Sequence, residues 1–143
     1  PLFDSLDADM AKMLFDIPAV KGVEFGAGFK VARLRGSENN DPYGISGGKI
    51  VTLTNNAGGV LGGLSSGMPI VVRAAIKPTP SFLKEQKTVD LSKMEETTIR
   101  VKGRHDPCVV PKAVPVIESA VAIVLVDHML RAGIVPKVLR GRK

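Results

Sequence analysis

The sequence predicts a single α+β domain, and three observations predict it. Apolar residues recur at helical spacing near the start, a long apolar helix pattern fills the end, and short β-prone runs punctuated by glycine and proline lie between them. The 143 residues fall within the usual span of one domain, roughly 100 to 200 residues. A 44% hydrophobic fraction against 24% charged excludes a disordered chain.

At the start, Ser5 is placed to cap a helix whose first turn carries Asp7 and Asp9, as the helix dipole favours. Leu6, Met10, Met13 and Leu14 form its apolar stripe, and Pro18 ends it. The β-prone run 29–34 reads as a strand, with a hairpin around residues 26–28. Val31 stands three positions after Gly28, so no Gly-x-Gly-x-x-Gly dinucleotide fingerprint forms. Residues 37–48, SENNDPYGISGG, read as a long polar loop, and residues 50–53 as a strand.

Residues 54–67 are the densest glycine stretch, with Asn55, Asn56 and small hydroxyl side chains among the glycines. Such a run suits either tight turns or a flat or phosphorylated ligand pressed against main chain. A strand over residues 69–76 then enters Lys77-Pro78-Thr79-Pro80-Ser81, where two prolines fix the backbone around one cation and two hydroxyls. That segment reads either as a phosphate-holding turn or as a rigid surface turn. Residues 84–96 are expected to be a polar peripheral connection, and residues 97–101 a strand.

Gly103-Arg104-His105-Asp106-Pro107-Cys108 puts a guanidinium, an imidazole, a carboxylate and a thiol within five positions. Arg104 offers a planar fork for an anion, and Asp106 is a candidate base. Further ligands for a metal beside His105 and Asp106 are lacking, because His128 is the sole other histidine. Cys108 has no evident base partner and reads as a buried, inert thiol. Residues 111–132 form the long helix, apolar all round over residues 120–126 and therefore expected to be buried between layers, with Gly133 beyond its end. His128, beside Asp127, reads as a surface or ion-paired histidine.

The +6 net charge is concentrated: Lys137, Arg140, Arg142 and Lys143 supply +4 of it, leaving +2 for the rest. Few aromatic rings are present for stacking on bases, with five Phe, one Tyr and no Trp, which weakens a nucleic-acid reading. A single cysteine permits no internal disulfide, residues 1–10 show no signal-peptide pattern, and no apolar run of 18 residues is expected to span a membrane. These features together lead to the expectation of a cytoplasmic location.

The segments TNNAGGVLGGLSSGMPIVVRAAIKPTPS and KGRHDPCVVPKAVPVIESAVAIVLVDHML resemble the carboxy-terminal part of the chorismate synthase family. The opening PLFDSLDADMAKMLFDIPAVKGVEFGAGF and RGSENND match the same family. The resemblance implies a shikimate-pathway lyase of aromatic amino-acid biosynthesis that converts 5-enolpyruvylshikimate 3-phosphate into chorismate by a 1,4 elimination of phosphate and a ring hydrogen. It implies dependence on reduced FMN, with NADPH a candidate reductant, and a homotetrameric assembly. It also implies layers of antiparallel sheet and helix, with this chain as one repeat of an internally duplicated fold.

By the same resemblance, Gly62, the segment Lys77, Pro78, Thr79, Pro80, Ser81, and Arg104 match FMN-binding positions, and Asp106 matches an acidic residue active in proton transfer. Asn55 and Asn56 are further candidates for lining the pocket. Family members are more than twice this length. The part without a counterpart here carries two catalytic histidines and most substrate-binding arginines, so residues 1–136 are expected to be a carboxy-terminal half, inactive alone, followed by a basic tail at 137–143. Two other readings stand beside this one: a nucleic-acid-binding module using the basic tail, and a structural assembly domain.

Overall fold

A computed structural model describes residues 1–136 of the chain. The basic tail expected at 137–143 lies outside the described residues. The elements run in the order α1 (Leu6–Phe15), β1 (Val20–Phe25), a 3-10 helix (Gly28–Arg33), α2 (Gly36–Asn39), β2 (Tyr43–Ser46), β3 (Lys49–Thr52), β4 (Val60–Leu61), β5 (Leu64–Ser65), β6 (Val72–Ile76), β7 (Gln86–Asp90), β8 (Glu95–Ile99) and α3 (Val110–Arg131). The α+β class holds. Among the described residues the strands form four antiparallel two-stranded ribbons: β1 with β6, β2 with β3, β4 with β5, and β7 with β8.

Helix α1 forms as its sequence dictates. The Ser5 hydroxyl accepts the Ala8 N–H at 3.4 Å and donates to the Asp7 carboxylate at 2.6 Å, satisfying one orphan donor of the first turn. The stripe turns Met10 and Leu14 fully inward. Leu6, Met10, Val60 and Val124 make the core cluster, with Met13, Phe25, Ile70, Val121 and Leu125 packed around it. The core therefore joins α1, α3 and the glycine-rich segment.

Tertiary pairing overrules several local expectations. Residues 29–34 are not a strand, because most of the run is wound into the 3-10 helix. The strand is β1 just before it, and no hairpin forms at residues 26–28: β1 pairs instead with β6, Val23 opposite Ala74, about fifty residues later. The expected loop 37–48 holds most of α2 and all of β2, and β2 pairs with β3 across Gly47 and Gly48, whose φ of +56° and +75° suit a type I′ turn. The expected connection 84–96 is mostly the β7–β8 hairpin.

Helix α3 is found nearly where expected, but it is not a buried helix. Only Ala120 and Val124 are buried, while Val114, Val116, Ile123 and Val126 are 47 to 59% exposed. It packs on α1 along one face, and among the described residues nothing covers the rest. The expectation that no segment is apolar enough to cross a membrane also fails on length and composition. Over an 18-residue window α3 has a mean hydropathy of 1.8. One such helix is weak evidence for a span, and this one ends in a charged cluster bonded to α1. Cys108, expected to be buried, is exposed.

Candidate functional site

Strand β6 delivers the chain to the site. At its end the Lys77 N–H donates to the Ala19 carbonyl at 2.8 Å, fixing where the Pro78–Pro80 turn begins. The chain continues through Ser81, Phe82, Leu83 and Lys84 into the β7–β8 hairpin. The antiparallel register of that hairpin returns the chain to its point of departure, Gln86 opposite Ile99. The Arg100 Nε–H then donates to the Leu83 carbonyl at 3.0 Å, locking the two ends together. Two segments about twenty residues apart thus become neighbours.

Between them lies a cavity of about 820 Å³, lined by residues 79, 81–84 and 103–107. Phe82, Leu83 and Pro107 supply apolar walls, Thr79 and Ser81 hydroxyls, Lys84 and Arg104 positive charge, and Asp106 a carboxylate. The volume is that of a site for a cofactor-sized molecule. Thr79 Oγ1 is buried without a hydrogen-bond partner among the described residues, so its donor and acceptor capacity is uncommitted. The backbone bends sharply at Gly103, where φ is +134° and an added Cβ would sit 3.3 Å from His105 Nε2. The Asp106 carboxylate accepts a hydrogen bond from Lys112 in the first turn of α3.

Of the residues singled out in sequence, the cavity unites Thr79, Ser81, Arg104 and Asp106. Lys77, Pro78 and Pro80 shape the same segment without lining the cavity. Gly62 sits elsewhere, in the β4–β5 turn with φ +59° and open space around it. Asn55 is not a cavity residue. Its Nδ2 donates to the Pro69 carbonyl and its Oδ1 accepts the Gly59 N–H, both at 2.8 Å, so its side chain staples the glycine-rich segment. The Asn56 main chain is spent likewise, its carbonyl accepting Ala27 N–H at 2.7 Å and its N–H donating to Asp41.

His105 and Pro107 line the cavity within the motif the sequence singles out, whereas Phe82, Leu83 and Lys84 line it without having been singled out. For those three, closeness in sequence to Ser81 was the available signal. Asp41, in the RGSENND segment, was also missed. One of its oxygens accepts from the Asn56 N–H at 2.7 Å and Thr54 Oγ1 at 2.6 Å, and the other from the Ala57 N–H at 2.8 Å. Burial pushes the Asp41 carboxyl up, but the bonds from Thr54, Ala57 and Asn56 outweigh it and hold the group below its ordinary value.

The chorismate synthase family model matches residues 1–130. The chain is 63% identical over 139 residues to the chorismate synthase of Archaeoglobus fulgidus, covering 97% of this chain and 39% of that relative. It is 61% identical over 131 residues to that of Thermococcus kodakarensis, covering 92% and 37%. With that of Dehalococcoides mccartyi the identity is 56% over 140 residues, covering 98% and 38%. A crystal structure of chorismate synthase superposes with a TM-score of 0.68 at 36% identity, over 90% of this chain and 31% of that one. The chain spans less than two-fifths of the length of these curated relatives.

Proposed function

The chain belongs to the chorismate synthase family, and on that premise we propose that it contributes one wall of an active site that converts 5-enolpyruvylshikimate 3-phosphate into chorismate. The observation that carries the proposal is the convergence of Thr79, Ser81, Arg104 and Asp106 on one cavity. In the net reaction a carbon–oxygen bond to phosphate and a ring carbon–hydrogen bond break, and the electron pair of the latter becomes a new double bond. No net oxidation occurs.

Reduced FMN, when bound, would lend electron density to the substrate ring as phosphate leaves with its bonding pair, and would regain it as the hydrogen is lost. The residues present fit that group. Arg104 and Lys84 match its phosphate in charge, Thr79 and Ser81 match a polyhydroxyl chain, and Phe82, Leu83 and Pro107 offer a dry surface for a planar ring system. Lys77, Pro78 and Pro80 hold the hydroxyl-bearing segment rigid. In this reading Asp106 accepts the proton released as the substrate hydrogen is removed. Gly62 is assigned to the flavin by family resemblance alone.

The exposed apolar face of α3 is the surface we assign to the remainder of the enzyme, which supplies the other catalytic groups. A homotetramer, reduction of the flavin by NADPH and a cytoplasmic location belong to the same proposal. Under anaerobic conditions with reduced FMN and substrate, this chain alone releases no phosphate. Grafted in place of the matching segment of the Archaeoglobus fulgidus relative, it supports turnover. Release by the isolated chain would overturn the incompleteness, and full activity of a D106N graft would overturn the role of Asp106.

A further inference from the structure

We propose that Lys112 is the positioning residue for Asp106, holding one carboxylate oxygen so that the other is left for proton transfer in the cavity; the inference rests on the role given to Asp106 above. Lys112 Nζ donates to Asp106 Oδ2, and among the described residues the carboxylate has no other hydrogen-bond partner. Nor does any backbone hydrogen bond tie residues 101–108 to the rest of the described chain. A proton-transfer group on an irregular segment needs a support that fixes its rotamer.

Lys112 is placed to be that support. Its own N–H donates to the Val109 carbonyl at 3.0 Å in the first turn of α3, a helix of 22 residues, so the ammonium is carried on a rigid element. Lys112 is absent from the cavity lining, and its influence there runs through Asp106. The two side chains are 73% and 53% exposed, and exposed ion pairs contribute little to stability, so removing the ammonium leaves the fold standing.

The test uses the graft described above with K112M, K112R and D106N. For K112M we expect kcat to fall about tenfold while KM and reduced-FMN affinity stay within about twofold, and K112R to recover most of the rate. An unchanged kcat in K112M, with D106N inactive, would overturn the role of Lys112 alone. A raised KM at unchanged kcat would also overturn it, by making Lys112 a binding residue. Full activity in D106N would overturn the underlying reading instead. Independently of turnover, the NMR signal of the Asp106 carboxyl carbon in this chain should move in K112M and return in K112R. An unmoved signal would overturn the contact itself.

Discussion

Asp9 on α1 and His128 on α3 stand 119 residues apart in sequence and meet at 2.9 Å between Oδ2 and Nε2. Arg131 donates to the same oxygen at 2.9 Å and also pairs with Asp127 one turn earlier. The clasp crosses the helix pair that supports the core. The contact commits the His128 ring to Asp9 on the neighbouring helix, away from the cavity.

The bonds from Arg131 and then His128 hold the Asp9 carboxyl below its ordinary value of 3.8 despite the opposing effect of burial. A carboxyl depressed on folding contributes stability that is present above its unfolded value and lost as the pH falls through the folded one. Urea denaturation of this chain should therefore show stability declining as the pH drops below about 4. D9N should flatten that decline and cost about 1 kcal/mol at neutral pH.

Asp41 anchors the glycine-rich segment through two backbone N–H groups and the Thr54 hydroxyl. D41A strands those donors and should lower stability by about 2 kcal/mol. Hydrogen exchange should locate the effect at the amides of Asn56 and Ala57, whose protection should fall. The Asp41 carboxyl is likewise held low, so in the unaltered chain that protection should weaken on acidification through its folded pKa.

Gly26 and Gly47 have nearly the same φ, +55° and +56°, yet very different surroundings. A Cβ on Gly26 would lie 2.0 Å from the Asn56 carbonyl oxygen, whereas one on Gly47 would meet nothing within 4 Å. G47A should cost about 1 kcal/mol, from backbone conformation alone. G26A should cost several times more, because main chain must move, and thermal denaturation of the two variants should separate them clearly.

In the cavity, Arg104 is the charged group nearest to Asp106 in sequence. R104A in the grafted enzyme should weaken reduced-FMN binding by about tenfold or more, the worth of a charge-assisted hydrogen bond. T79V, which removes a hydroxyl and keeps the shape, should weaken it less. Anaerobic fluorescence titration measures both, and unchanged affinity in R104A would count against the flavin assignment.

Much of the local structure was legible because its causes are local. Ser5, the acidic first turn and the apolar stripe suffice for α1, and the long apolar run ending before Gly133 suffices for the extent of α3. The motifs that carry the family resemblance also depend only on residue order, and the family match over residues 1–130 bears the resemblance out. Thr79, Ser81, Arg104 and Asp106 were legible as candidates on the same basis.

What composition and spacing did not convey is which distant segments meet. A strand's partner depends on the register and burial that the whole chain permits, so β1 chose β6 over the segment beside it. The β7–β8 hairpin, hidden in a polar stretch, closes the cavity by returning the chain on itself and brings Phe82 and Leu83 opposite Arg104. The exposed apolar face of α3 has the same lesson in reverse. Hydrophobicity states that a surface needs cover, while the cover itself is a property of what packs against it.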